Sequence, residues 1–539
     1  MWRTALRFDR PIPVLRSVNK YPHFDVCVIG AGPAGIAGAM RAVSFGKKVC
    51  LVESSHRLGG TDLWGGTLPS KTLWEISKSI SHMTSPTLTG RFMDPSLSEK
   101  VKGHVDHTKI MDAVRETSEV RERQINQFIK AAGIEVINGK ATFENEREID
   151  VYAGKGEYNT ISSDYFLIAT GSVPREHPLY PCDHKLICNS NDIFKMPLPK
   201  SIVIIGAGPM GCEFAAMFAN MGTIKVFLVD KDERILPRED EDLSDAVYNG
   251  LVARGVTVHR FSQLFDMDYV EDPVTKQTMI QYSIQNMKTG KAESITVERA
   301  LVTMGRRPYN EGLGLENLKV HVKDGVIDAD NLNRCKPYKH IYCVGDATKD
   351  MKTVSAAQVS ARHAINSMYG ASPMRQIPRF IPNMTVGWFF DEEVAAIGMN
   401  ESQCQERHIG YIVAKQEYTH LSRGIITGQT KGFVKLIVTN DREKRVLGVR
   451  AMGMHAGSIV ELASLAIRNG SSAYELLKLN PAYPSVAVGL VECVRLVLGR
   501  ASRQSNQGDE AVVKSWVPDH FSRGRAFFEE VKKSTEPEE

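Results

Sequence analysis

Two glycine clusters and one lysine-bearing segment hold the residues of this chain whose types and spacing suit chemistry. The apolar run Phe24-Asp25-Val26-Cys27-Val28-Ile29 leads into Gly30-Ala31-Gly32-Pro33-Ala34-Gly35 and an Ala-rich stretch. A second apolar run, Lys48-Val49-Cys50-Leu51-Val52, then ends on Glu53. In such a pattern the first glycine turns tightly and the second lets a pyrophosphate approach the backbone. The third lets a helix pack on a strand, and an acid roughly twenty residues on binds ribose hydroxyls. The arrangement recurs: Ser201-Ile202-Val203-Ile204-Ile205 precedes Gly206-Ala207-Gly208-Pro209-Met210-Gly211, and Lys225-Val226-Phe227-Leu228-Val229 ends on Asp230. One such glycine pattern is weak evidence. Two, each between strand and helix with its acidic partner, predict two dinucleotide-binding units. A carboxylate at Asp230 accepts from a 2′-hydroxyl and repels a 2′-phosphate, which favours NAD(H) over NADP(H). Lys231 and Arg234 nearby could soften that preference; the favoured reading is solvated charges on the following loop.

The third segment runs Gly59-Gly60-Thr61-Asp62-Leu63-Trp64-Gly65-Gly66-Thr67-Leu68-Pro69-Ser70-Lys71. Three shorter stretches accompany it: Ile168-Ala169-Thr170-Gly171, Met304-Gly305-Arg306-Arg307-Pro308 and Ile341-Tyr342-Cys343-Val344-Gly345-Asp346. In order and spacing these motifs resemble the pyridine nucleotide–disulfide oxidoreductases, over about 24–500. In that family the long segment carries two cysteines whose disulfide is reduced by flavin. Here Asp62 and Thr67 stand in their places, and neither a carboxylate nor a hydroxyl accepts two electrons.

The resemblance implies FAD in the first unit, held by Gly30, Gly32, Gly35 and Glu53, with Gly60, Thr61 and Lys71 from the long segment. Thr170, Gly171, Gly345 and Asp346 complete that set, the aspartate serving the ribityl chain. It implies NAD(H) in the second unit, held by Gly206, Gly208, Gly211, Glu213, Asp230 and Gly305. Lys71 and Glu213 would pair beside the reactive edge of the flavin, where a cation stabilises developing negative charge. The family's acid–base motif, His-Pro-Thr-x-x-Glu from the partner subunit, reads Tyr483-Pro484-Ser485-Val486-Ala487-Val488 here. A free tyrosine titrates at about 10, so Tyr483 is a poor proton shuttle for thiols at neutral pH. The positions for dithiol chemistry (Asp62, Thr67, Tyr483, Val488) are changed while those for two cofactors are kept. The soluble pyridine nucleotide transhydrogenases are similar in carrying Thr at the place of Thr67 and Tyr-Pro-Thr at Tyr483-Pro484-Ser485. The run Tyr418-Thr419-His420-Leu421-Ser422-Arg423 also resembles their interface segment, but they usually keep the first cysteine.

The expected fold is α/β: two Rossmann-like domains, the second inserted in the first, and a C-terminal α+β dimerisation domain. The FAD domain takes 24–180 and 301–372, the NAD domain 181–300 and the interface domain 378–500, with a homodimer implied. Apolar runs at 383–390, 409–414, 432–438 and 446–453 predict an antiparallel sheet, followed by helices from Gly457 and Val486. Residues 72–135 are helical in pattern around a loop at 84–98. The charged tail 501–539 reads as partly disordered, with a docking segment for a protein partner as the minority reading.

Length divides these 539 residues into several domains, and 42 % hydrophobic with 24 % charged residues describes an ordinary globular chain. No apolar run is long enough for a membrane span. The net charge of +4 is concentrated in residues 1–20, so no basic surface for nucleic acid is implied. That Arg-rich, acid-poor start suits a mitochondrial presequence directing the chain to the matrix; the alternative is a floppy leader on a cytoplasmic protein. Nine cysteines show no metal-ligand spacing, and no metal is expected. The leading expectation is a FAD-dependent NADH oxidoreductase passing electrons to a small non-disulfide acceptor, a transhydrogenase-, diaphorase- or quinone reductase-like reaction. The alternatives are a dihydrolipoamide dehydrogenase and a redox-inactive subunit that keeps FAD as a folding ligand.

Overall fold

A computed structural model describes residues 16–85, 90, 94, 100–101, 104–154, 157–349, 352–370, 384–499 and 511–518. The chain divides into two compact units, the first from residues 1–63, 119–173 and 307–379, the second from 64–118, 174–306 and 380–539.

In the first unit, five strands lie parallel in the order Glu135–Asn138, Val49–Glu53, Phe24–Ile29, Glu157–Ile168, Ile341–Cys343. Val49–Glu53, Phe24–Ile29 and the end of the fourth strand at 166–168 are largely apolar and buried, as a covered parallel sheet requires. Chain order reverses between Phe24–Ile29 and Glu157–Ile168, and in such sheets the ligand crevice lies outside the carboxyl ends at that switch point. Gly30, Glu53, Thr170 and Gly345 all stand at those carboxyl ends. The long strand Glu157–Ile168 also continues into an antiparallel meander with Glu148–Gly154 and Lys140–Asn145. Phe143, Phe166, Ile149 and Ile168 share the core between the layers. Each such side chain contributes about 1.5–3 kcal/mol on burial.

In the second unit, a parallel sheet runs Thr257–His259, Lys225–Val229, Ser201–Ile205, Arg299–Val302, Ile187–Asn189. A three-stranded antiparallel sheet, Ser262–Glu271, Thr278–Asn286 and Ala292–Val297, packs beside it around Tyr282. A six-stranded sheet follows: Val386–Phe389, Glu393–Gly398, Val446–Met452, Phe433–Thr439, Tyr411–Glu417, Ala511–Trp516. Helices Ala456–Arg468 and Val488–Leu498 cover it through Ile459, Val460, Leu490 and Val494.

The predicted antiparallel sheet and its two helices are thus present, with Glu393–Gly398 added. Three features differ from the sequence expectation. Helix Thr67–Met83 belongs with the second unit, because Leu73, Trp74 and Ile80 share a core with Phe214, Phe218 and Phe390. Within the tail, where no element was expected, Ala511–Trp516 pairs along all of Gln416–Tyr411, and Trp516 stacks on Tyr411 at 5.8 Å. Arg16–Lys20, inside the stretch read as presequence, forms a strand beside Glu157–Thr160. Residues 1–15, most of the loop at 84–98, and 501–510 and 519–539 of the tail lie outside the described residues.

Candidate functional site

Both glycine loops have the same construction. Gly30 and Gly206 take φ of +105° and +107°, a region that favours glycine. A Cβ on Gly35 would lie 1.8 Å from the Gly30 carbonyl oxygen, and one on Gly211 1.9 Å from that of Gly206, so helix and loop touch only through glycine. At Gly32 and Gly208 a Cβ would meet nothing within 4 Å, leaving the backbone open on the side where a pyrophosphate would approach. Each loop starts a helix, Pro33–Val43 or Pro209–Asn220, with proline at the first helical position where its missing N–H is no loss. The free amides at these N-termini and the helix dipoles favour an anion.

The acids behave alike too. Glu53 accepts from the amides of Ala31 and Ser55, both at 2.7 Å. Asp230 accepts from the amides of Ala207 and Asp232. Each carboxylate is thereby held at the mouth of its loop, and a carboxylate's further lone pairs suit ribose hydroxyls. In the first unit Ser172 donates to Asp346 at 2.7 Å, and Thr170 to Asn310 at 3.0 Å. Gly345 packs so near the start of the first helix that its Cβ would lie 3.1 Å from that of Ala34. Gly60 packs equally close to Gly32. These observations fit FAD on the first unit and NAD(H) on the second. In the second unit the turn after Arg299–Val302 is closed by the Arg175 amide donating to Gly305. The Nη1 of Arg234 is buried without a partner, which differs from the solvated charge expected there.

Lys71 lies one turn into helix Thr67–Met83, which tolerates Pro69 because its first-turn amides have no intrahelical partner. Its ammonium donates to both oxygens of Glu213 at 2.8 Å. Glu213 lies on the buried face of Pro209–Asn220 and also accepts from the Phe389 amide at 2.9 Å. The Phe389 ring lies 4.9 Å from the ammonium and takes the edge of Trp74 at 5.1 Å. Sequence reasoning missed Phe389; its only signal was an aromatic cluster inside the apolar run 383–390.

Thr67 is exposed at the start of its helix, and Asp62 is half-buried on the preceding short helix Gly60–Trp64. Tyr483 is 76 % exposed and hydrogen-bonds Ser422 at 2.7 Å, which joins it to the Tyr418–Arg423 segment. All nine cysteines are free, and eight are buried. Cys27 and Cys50 are register partners on neighbouring strands, both buried in the core. Burial pushes the Cys27 thiol well above its ordinary range, and raises Cys188 and Cys404 to about 12. Thiols so placed are poor nucleophiles.

Two dinucleotide folds, a Lys–Glu pair on the second unit and an antiparallel C-terminal sheet define a flavin- and nicotinamide-dependent oxidoreductase architecture. The pyridine nucleotide-disulphide oxidoreductase model matches residues 24–363, and the dimerisation domain of the same family matches 384–493. The chain belongs to this family. It is 27 % identical over 487 residues to a dihydrolipoyl dehydrogenase of Bacillus subtilis, covering 89 % of this chain and 98 % of that one. It is 30 % identical over 448 residues to the soluble pyridine nucleotide transhydrogenase of Hahella chejuensis, covering 83 % and 91 %. Among solved structures, LpdA from Mycobacterium tuberculosis superposes with a TM-score of 0.78 at 20 % identity, covering 89 % of this chain and all of that one. The HOCl-induced flavoprotein disulfide reductase RclA from Escherichia coli gives 0.75 at 22 %, covering 88 % and again the whole of that chain. The protein is therefore a FAD-dependent pyridine nucleotide oxidoreductase, and its dimerisation domain supports a homodimer. Among the described residues no helix is long and apolar enough to cross a membrane.

Proposed function

We propose that this protein oxidises NADH and delivers the electrons to a small non-disulfide acceptor A: NADH + H⁺ + A gives NAD⁺ + AH₂ for a quinone or dye, in the manner of a diaphorase, and NADH + A⁺ gives NAD⁺ + AH for an oxidised nicotinamide, in the manner of a transhydrogenase. The observation that carries this reading is an intact Lys71–Glu213 pair in a chain with Asp62 and Thr67 at the family's dithiol positions. FAD, when bound, supplies a centre that takes hydride from the nicotinamide and releases two electrons.

The residues of the chain provide the setting. Gly206, Gly208 and Gly211 leave the loop open to the nucleotide pyrophosphate, and Asp230 orients the ribose. Gly30, Gly32, Gly35, Glu53 and Asp346 do the same for FAD. Lys71 holds a positive charge where negative charge accumulates, Glu213 fixes the ammonium, and Phe389 limits where it can move. Replacing Asp230 with serine is expected to lower the NADH-to-NADPH ratio of kcat/KM about tenfold, a loss of about 1.4 kcal/mol of discrimination. Dye-linked assays with both nucleotides measure it, and an unchanged ratio removes Asp230 from nucleotide choice. The Arg-rich start supports a mitochondrial address, which imaging of residues 1–20 fused to a fluorescent protein checks.

The central test is anaerobic. NADH should bleach the flavin absorbance, and oxidised nicotinamide analogues or quinones should restore it, while dihydrolipoamide should yield no NADH from NAD⁺. Thiol-dependent NAD⁺ reduction at a comparable rate overturns the proposal in favour of a dihydrolipoamide dehydrogenase. A flavin that NADH cannot bleach overturns it in favour of a structural subunit.

A further inference from the structure

Helix Thr67–Met83 carries two further side chains on the same face as Lys71. Lys71, Trp74 and Lys78 stand at i, i+3 and i+7, the spacing that aligns residues along one side of a helix. That side meets the three-residue turn Phe390-Asp391-Glu392, which joins the antiparallel strands Val386–Phe389 and Glu393–Gly398. Each residue of the turn is tied down. Trp74 Nε1 donates to the Phe390 carbonyl at 2.6 Å. The Lys78 ammonium donates to the Asp391 carbonyl and pairs with the Glu392 carboxylate at 3.0 Å. The Asp391 carboxylate accepts from Arg254, at the end of helix Glu241–Ala253, at 2.6 Å. All of these residues belong to the second unit.

The Lys78–Glu392 pair is nearly dry, its side chains 9 % and 12 % exposed. Burying two charges costs free energy, so the pair needs a reason beyond stability. Its place supplies one. Phe389 immediately precedes the turn, gives its amide to Glu213 and lays its ring against the Lys71 ammonium. A shift of the turn would carry Phe389 with it. Glu213 would then lose one of its three hydrogen bonds, and the ammonium would range more widely. Seven residues of helix rise separate Lys78 from Lys71 by roughly 10 Å along the axis. The two ammonium groups share no partner among the described residues, so the link between them is the turn itself.

We propose that Lys78 is a positioning residue for flavin reduction: it clamps the turn 390–392, which fixes Phe389 and, through Phe389, the Lys71–Glu213 pair. This rests on the oxidoreductase reading above, in which the Lys71 charge stabilises the reduced flavin, and adds the residue that sets where that charge stands. Lys78 lies outside both glycine loops and takes no part in nucleotide binding.

Lys78→Met alone would strand the Glu392 carboxylate, so the test uses Lys78→Met/Glu392→Leu, which removes both charges of the buried pair together. In the purified holoprotein, NADH at saturation should reduce the flavin of this variant about tenfold more slowly, within the hundredfold that a small misplacement can cost. The NADH dissociation constant should stay within about twofold of wild type, because ground-state binding is untouched. The flavin midpoint potential, from dithionite titration, should become more negative, since a less constrained cation stabilises the reduced ring less. Both changes should vanish on a Lys71→Met background, where nothing is left to position. Should the double variant fail to hold flavin, Trp74→Phe, which keeps a ring and removes the bond to Phe390, carries the same expectations. Wild-type rate and potential, or equal losses with and without Lys71, overturn the inference. A wild-type flavin that NADH cannot bleach overturns the oxidoreductase reading instead, and the potential, which needs no NADH, still decides the role of Lys78.

Discussion

Replacing Lys71 with methionine is expected to slow reduction of the flavin by NADH about a hundredfold, equivalent to about 2.7 kcal/mol of barrier. The magnitude follows from the role: a fixed cation at a site of developing charge is worth roughly 10²–10³ in rate when removed. Methionine keeps the stem that crosses the Phe389 ring and removes only the charge. Lys71→Arg keeps the charge and should recover part of the rate. Glu213→Gln should fall between, since its amide oxygen can still accept from Phe389 while its grip on the ammonium weakens. Anaerobic stopped-flow absorbance reads each rate directly. A Lys71→Met rate within about twofold of wild type assigns the pair to holding the fold of the second unit alone.

The second large effect lies outside the glycine loops. Lys435 is 1 % exposed in the strand Phe433–Thr439, and its ammonium contacts Asp240 at 2.9 Å, Asp242 at 2.9 Å and Glu401 at 2.5 Å. The three carboxylates lie within 4.8 Å of one another, a spacing tolerable only around a cation. Burial alone would depress the lysine, but Asp242, Asp240 and Glu401 outweigh it and push the ammonium above its ordinary range. The group stays charged through all accessible pH. Lys435→Met is therefore expected to cost about 3–5 kcal/mol, because it strands acids rather than merely deleting a contact. Adding Glu401→Gln should restore a measurable part of the loss, a coupling that a purely steric defect would not show. Denaturant titration of the dimer at fixed protein concentration measures both, and a loss under 1 kcal/mol for the single variant refutes the electrostatic account.

The glycine loops were legible from residues 24–53 and 201–230 alone, because each demand is local. A positive φ at Gly30, a 1.8 Å approach at Gly35 and an open flank at Gly32 are each met by one residue type. The pairing of Lys71 with Glu213 was legible only through family resemblance, since nothing in either helix announces a partner so distant in sequence. Phe389 and the Lys435 cluster were not legible. Both depend on the segment 384–401 meeting helices that begin near 209 and 241, and no periodicity encodes such meetings. The strand Ala511–Trp516 did carry a signal in Val512, Val513 and Trp516, outweighed by the charged stretch around it.

That last strand has a practical bearing. Tyr411–Glu417 would otherwise end its sheet with a row of open donors and acceptors, a template for pairing with another chain. The added ribbon fills those valences and seals the rim with an indole laid on a phenol. A version trimmed near residue 500 would keep every nucleotide-binding residue yet present an adhesive border. Its tendency to clump during expression would then say nothing about whether the oxidoreductase core can fold.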